Sequence, residues 1–379
     1  LKILQISAAY KPAYIYGGPT MSVAMLCEQL VKAGCQISVY TTTANGPHEL
    51  DVVPNQTVMV DGVKVTYFKR ITKDHSHLSP ALLQAVWKNA QAYDVVHIHA
   101  WWNLVSVLSC LVAVMRGVPV LVSARGTLSP YSFGNKNRII KSFIHQLLSR
   151  PVLKRCHIHA TSQRENNAVN SIITPKSSTT LPNFVKLPPD QPKVKTTIAV
   201  PIKLLFFSRI EEKKGLDLLI IALSSVKSPF HLTIAGSGDE AYVEGLKQLA
   251  AGNGISGKIS WAGFINEDKF EVLQKHDLFV LPSYDENFGN AVIESLSVGT
   301  PVLISEEVGL ADYVIKNKLG WLCKTSAVSI AEMVDQIAVR PLEIERIRAQ
   351  APGIIYHDFG ADSLVEKYIG LYNKISKQH

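Results

Sequence analysis

Between Asp94 and Glu165 this chain has no carboxylate at all, although Arg116, Arg125, Lys136, Arg138, Lys141, Arg150, Lys154, Arg155 and Arg164 fall within that stretch. Cysteine is also scarce. Cys27, Cys35, Cys110, Cys156 and Cys323 are scattered singly and odd in number, without a CxxC spacing. That excludes a disulfide framework and a cysteine-based zinc site, and favours a reducing cytoplasm. There is no Asp-x-Asp pair of the kind that holds a nucleotide-bound Mg²⁺, and no low-complexity tract. The Gly236-Ser-Gly238 run lacks the third glycine of a dinucleotide fingerprint and follows an internal strand, so it is weak evidence for NAD and reads as a tight turn. Long apolar runs are missing too: residues 95–115 are interrupted by His97, His99, Asn103 and serines, and the more apolar part is too short to span a bilayer. The opening Leu1-Lys-Ile-Leu-Gln-Ile-Ser is too short for a secretory core and reads as a first strand. No membrane crossing is expected.

What remains is a globular composition, 47% hydrophobic and 18% charged over 379 residues, enough for two or three domains. The net charge of +8 is uneven: residues 1–189 carry 19 Lys and Arg against 7 Asp and Glu, leaving 20 against 24 for the rest. A balance of +12 in the first half and −4 in the second implies that the first half faces something acidic. Apolar runs at 3–7, 37–42, 95–99, 120–123 and 157–160 alternate with helical patterns such as 21–32. A second array at 204–208, 231–235, 258–261, 278–281, 302–305 and 320–323 does the same. Strands alternating with helices predict parallel sheets covered on both faces, an α/β class with two Rossmann-like domains. Residues 181–193 contain four prolines and make the natural hinge, giving domains at 1–187 and 188–359. Each sheet is expected to present its strand carboxyl ends to a shared cleft, where ligands bind in such sheets.

The most informative segment is Ser283-Tyr-Asp-Glu-Asn-Phe-Gly-Asn-Ala-Val-Ile-Glu-Ser-Leu, where the apolar strand at 278–281 hands over to a helix. Glu286 lies in the loop, and Glu294 about one turn into a helix predicted over 291–298, stopped by Gly299 and Pro301. Between them the N–H groups of Gly289, Asn290 and Ala291 begin the helix without intrahelical partners, which suits an anion such as diphosphate. Upstream, Leu204-Leu-Phe-Phe-Ser-Arg-Ile-Glu-Glu-Lys-Lys-Gly carries Arg209 and Lys214 in a loop beyond another strand. Two cations and two carboxylates at strand ends fit a nucleoside diphosphate sugar. As loop residues both cations are expected at the surface, so that losing either leaves folding nearly untouched.

These segments resemble glycosyltransferase family 4, retaining enzymes of the GT-B fold that use nucleotide sugars. The matching pieces are Ser208-Arg209 with Lys214-Gly215, Ile234-Ala-Gly-Ser-Gly-Asp239, Trp261-Ala-Gly-Phe-Ile265, the Glu286 and Glu294 pair, Gly299-Thr-Pro-Val302, Tyr16-Gly-Gly-Pro19 and Asp94-Val-Val-His-Ile-His99. The resemblance implies an acceptor domain at 1–187, a donor domain at 188–359, and a tail helix at about 360–379 that packs back on the first. It implies catalytic roles for Arg209, Lys214 and Glu286. Donor contacts are implied for Gly18, Gly236, Phe264, Phe288, Gly289, Asn290, Ala291 and Glu294 as well. Glu294 would accept from ribose hydroxyls and Glu286 from hydroxyls of the sugar. The implied donor is a UDP-sugar, glucose by family frequency. Transfer would proceed by front-face attack, with neither a metal ion nor a covalent carboxylate.

Gly17 and Gly18 admit two readings, a tight turn or a close backbone approach to acceptor or diphosphate. His97 and His99 share one strand face and read as satisfied structural histidines, a metal site needing further ligands that the sequence does not offer. His99 and the following Trp101 are nonetheless candidate acceptor contacts, since a sugar ring packs well on indole. Ser123-Ala-Arg-Gly-Thr127 departs from the family: where many members carry His, this chain has Arg125, which suits an acidic acceptor, a lipid phosphate or the donor diphosphate. Phe133, Ile139, Ile140, Phe143, Ile144, Leu147 and Leu148 form an apolar stripe opposite Lys136, Lys141 and Arg150. It fits either a helix lying on an anionic bilayer or ordinary packing on the sheet. The expected acceptor is a saccharide or a polyprenyl-diphosphate-linked saccharide of exopolysaccharide assembly, with no nucleic acid partner. Two other classes share the fold: a two-lobed sugar-binding protein, which would not need Arg209 and Lys214, and a dinucleotide-dependent oxidoreductase, which would need the full glycine fingerprint.

Overall fold

The structure is a computed structural model, described here for residues 1–128, 149–189, 200–265 and 268–378. The stripe expected over 133–148 lies outside these residues. The chain forms two compact units, one of residues 1–184 with 361–379, the other of residues 185–360.

The first unit is built on an eight-stranded sheet in the order β10-β9-β8-β7-β1-β2-β6-β5. Its strands are β1 Lys2–Ile6, β2 Gln36–Thr42, β5 Thr57–Val60, β6 Val63–Phe68, β7 Val95–His99, β8 Val120–Ser123, β9 His157–Ala160 and β10 Ser177–Thr180; β3 Ala44–Asn45 and β4 His48–Glu49 make a separate ribbon. Every pairing is parallel except β5 with β6. That hairpin turns through Asp61 (φ 48°) and Gly62 (φ 82°), the left-handed pair that matches strand twist in a two-residue loop. The central strands are buried on both faces because helices cover both sides; β7 and β8 are buried at every position, His97, His99 and Ser123 included. The last helix, Ala361–Lys377, buries Leu364, Val365, Tyr368, Leu371, Tyr372 and Ile375 against this unit, among Ile3, Val23, Leu26 and Val39. Its apolar positions recur at three- and four-residue spacing, which makes one stripe of a 3.6-residue helix.

The second unit holds a six-stranded, wholly parallel sheet in the order β13-β12-β11-β14-β15-β16. The strands are β11 Ile202–Phe207, β12 Phe230–Ala235, β13 Ile259–Gly263, β14 Leu278–Leu281, β15 Val302–Ser305 and β16 Gly320–Cys323. Chain order runs outward in one direction from β11 to β12 and in the other from β14 to β15. The loops after β11 and β14 therefore diverge to opposite faces, leaving a crevice at the carboxyl ends of those two strands. In the first unit the same reversal falls between β1 and β7. Among the described residues no helix is long and apolar enough to cross a membrane.

Candidate active site

In the second unit, β11 ends at Phe207 and the chain continues through Arg209 into a short 3-10 turn, Glu212–Lys214. Gly215 follows in the left-handed region (φ 69°), and a Cβ there would sit 2.2 Å from the Pro282 carbonyl oxygen. Only glycine lets the loop after β11 close against the loop after β14, a contact sealed by the Tyr284 N–H donating to the Lys213 carbonyl at 2.8 Å. Lys214 is thereby folded inward. It is 7% exposed and its Nζ is paired with the Glu286 carboxylate. The surface position expected of Lys214 does not hold, whereas Arg209 is half-exposed and pairs through Nη1 with Glu211 Oε1 at 2.7 Å.

Glu286 is fixed from both sides of its backbone: its N–H donates to Glu307 O at 3.2 Å and its carbonyl accepts from Gly309 N–H at 2.8 Å. Gly289 (φ 94°) turns the chain into the helix Asn290–Ser297, and Asn290 and Ala291 supply the N–H groups that no preceding turn can satisfy. Glu294, one turn in, bonds Lys269 Nζ through Oε1 at 2.7 Å, both side chains being mostly buried. Gly236 is required for packing. A Cβ there would lie 1.9 Å from the Ser208 carbonyl oxygen, where the loop after β12 supports the loop carrying Arg209. Phe264, at the end of β13, is 74% exposed. The Phe288 ring does not face a ligand: it is buried against Phe359, ring centres 6.2 Å apart, which leaves only its backbone to offer. Sequence reasoning missed Lys269, for nothing in the local pattern marks a pairing partner 25 residues distant, and it missed Glu211, which pairs with Arg209 two residues away.

In the first unit the candidate acceptor residues gather at the ends of β1, β7 and β8. Gly17 (φ 65°) precedes the helix Gly18–Lys32, whose first turn holds no acidic residue. Trp101 is not a stacking surface: its ring lies in the core at 1% exposure, its indole N–H donating to Ser149 Oγ at 3.2 Å. His99 is likewise buried, and both ring nitrogens are engaged. Nε2 meets Gln5 Oε1 at 2.7 Å, and Nδ1 accepts from Arg125 Nε at 3.3 Å. Neither residue can touch an acceptor directly. Arg125 (φ 52°) is half-buried and donates from Nη1 to Ser22 Oγ at 2.7 Å and Asn183 Oδ1 at 3.2 Å.

Behind Arg125 runs a buried polar chain. Gln5 Nε2 donates to the Tyr372 hydroxyl at 3.1 Å; that hydroxyl lies 2.7 Å from His97 Nδ1, and His97 Nε2 lies 2.6 Å from Ser123 Oγ. Ser123 Oγ in turn lies 2.6 Å from His159 Nδ1, and His159 Nε2 meets Leu181 O at 2.8 Å. The pattern needs each imidazole neutral, with one nitrogen donating and the other accepting. Burial pushes His97 and His99 well below the ordinary histidine range and His159 down to about 4.

Comparison with known proteins shows the family and the fold. Residues 190–352 match the family described as glycosyl transferases group 1, and residues 16–187 match Glycosyltransferase Family 4. An uncharacterized glycosyltransferase of Methanocaldococcus jannaschii is 24% identical over 98% of both chains. Among solved structures, a sucrose-phosphate synthase from Thermosynechococcus elongatus superposes with a TM-score of 0.75 at 18% identity over 100% of both chains. Anabaena HepE in complex with UDP and glucose gives 0.72 at 18% identity, covering 99% of this chain and 100% of that one.

Proposed function

This chain belongs to glycosyltransferase family 4, with the GT-B fold, and from that premise we propose that it moves a hexose, glucose, from a UDP-sugar to a saccharide or lipid-linked saccharide acceptor with retention of configuration. The observation that carries the donor reading is the meeting, at the β11 and β14 strand ends, of Lys214 paired to Glu286 with the start of the helix Asn290–Ser297. In this reading the diphosphate lies on the free N–H groups of Asn290 and Ala291, with Gly289 allowing close approach. Lys214 and Arg209 offset the negative charge that grows on the leaving diphosphate, the largest lever available for such a reaction. A metal ion is then not required for that task. Glu286, locked through its backbone and by Lys214, orients sugar hydroxyls. Glu294, with Lys269 on Oε1, accepts from ribose hydroxyls through its remaining oxygen. The Anabaena neighbour's complex with UDP and glucose supports the choice of nucleotide and sugar.

The net charge of +12 over residues 1–189 supports an acidic partner for the first unit, whether a polyprenyl-diphosphate-linked saccharide or an anionic membrane face touched peripherally. The direct test of the donor reading is release of UDP from UDP-glucose. Arg209→Ala and Lys214→Ala should each slow it by ~10²-fold, the scale of losing one preorganised charge stabiliser. Wild-type rates in both variants would remove the phosphate assignment.

A further inference from the structure

Among the described residues Arg125 makes no salt bridge. Its three acceptors, His99 Nδ1, Ser22 Oγ and Asn183 Oδ1, are all neutral, and among the described residues no hydrogen bond uses Nη2. The nearby acid, Glu165, is committed elsewhere. Its Oε1 accepts from Gly126 N–H at 2.7 Å, and its Oε2 from the Thr161 N–H and hydroxyl at 2.7 and 2.8 Å. The residues outside the described set between 129 and 148 supply no alternative, because the whole run from Val95 to Arg164 contains neither Asp nor Glu.

Such an arrangement is costly to fold unless something offsets it. A guanidinium partly removed from water without a salt-bridge partner is disfavoured, and burial pulls the Arg125 pKa down, opposed by the charges of Tyr368 and Glu165. The backbone at Arg125 is also held in the left-handed region, uncommon for a residue other than glycine. Through Ser22, one turn into the helix Gly18–Lys32, the cation is tied to the amino-terminal part of that helix. Neutral His99, pinned by Gln5, holds the guanidinium from the far side. A half-buried cation without a salt-bridge partner, with part of its fork unused, at the strand ends where ligands of parallel sheets bind, makes a receptor for an oxyanion.

We propose that Arg125 binds an oxyanion, phosphate or carboxylate, carried by the acceptor substrate. The inference rests on the transferase reading above, since only a transferase has an acceptor; it adds the residue that reads the acceptor's charge and the group it reads. The guanidinium offers Nη2 and the outer edge of the fork, and a planar bidentate contact would favour either oxyanion over a hydroxyl.

The test uses the full chain at constant ionic strength and follows the Arg125 Nε–H resonance during separate titrations with inorganic phosphate, acetate and glucose. Saturable shifts are expected with phosphate or acetate and none with glucose. Whichever anion binds at least ten-fold more tightly identifies the group. Arg125→Gln, followed by the thermal midpoint instead, should lose the anion-dependent rise that wild type shows, and Arg125→Lys should keep part of it. Absence of saturation with both anions in wild type would overturn the proposal, as would an unchanged anion response in Arg125→Gln. A parallel UDP titration separates this from failure of the donor reading: UDP binding should be retained in both Arg125 variants, because the residues proposed above to hold UDP, Arg209, Lys214, Asn290, Ala291 and Glu294, all lie in residues 185–360.

Discussion

Two cations that look alike in the sequence differ in what they do for folding. Lys214 is buried and its loss would strand the Glu286 carboxylate, whose side chain is only 17% exposed, so Lys214→Ala should cost about 1–3 kcal/mol of stability. Arg209 is half-exposed beside Glu211, and Arg209→Ala should stay within roughly 0.5 kcal/mol. Urea unfolding of the two variants checks this, and equal losses would contradict the burial difference. Lys269 is the second residue-scale case. If it holds Glu294 in position, Lys269→Met should weaken UDP binding several-fold while Lys269→Arg restores most of it; calorimetry would show whether neither change matters. The Lys214–Glu286 and Lys269–Glu294 pairs were illegible in the sequence because they join residues 72 and 25 positions apart, whereas Arg209, Lys214, Glu286 and Glu294 could be found from their places at strand ends.

Elements were legible where local pattern and tertiary environment agree. The six strands of the second sheet stand within two residues of the apolar runs that announce them, and β14, β15 and β16 coincide with theirs. β10 was missed because Ser177-Ser-Thr-Thr has no apolar residue to declare a strand. The β5–β6 hairpin was missed although Asp61-Gly62 between alternating apolar residues is a strong hairpin signal. Glycines at loop contacts make an element-scale prediction: Gly236→Ala would drive a methyl into the Ser208 carbonyl and displace the loop bearing Arg209. A loss of about 1–3 kcal/mol in thermal or urea unfolding is expected, together with slower UDP release. Unchanged stability would mean that the loop can yield. The tail helix likewise joins distant parts, for Tyr372 and Tyr368 complete the hydrogen bonds of His97 and His159, so removing residues 361–379 should expose the buried polar chain along with an apolar face.

At the scale of the molecule, the parallel α/β architecture follows from alternating apolar runs and helical patterns, while the identity of the acceptor does not, because it depends on how separate loops converge. The buried histidines give the first unit a pH dependence. Their folded pKa values lie below the unfolded value near 6.5, so the unfolded chain binds more protons between that value and the folded one. Stability is therefore full above pH 6.5 and falls as pH drops toward about 4, the His159 value. Melting curves between pH 7 and pH 4 should show this fall, and His159→Gln should make it shallower; a flat profile would mean that the histidines are not held neutral.

The central claim is that the second unit binds a nucleoside diphosphate sugar at the β11 and β14 strand ends. Calorimetric titration of UDP into wild type, Glu294→Ala and Glu286→Ala tests it most directly. The account predicts saturable binding to wild type, at least ten-fold weaker binding to Glu294→Ala, and nearly unchanged binding to Glu286→Ala, whose partner is the sugar. No saturable binding of UDP to wild type, or undiminished binding to Glu294→Ala, would contradict it.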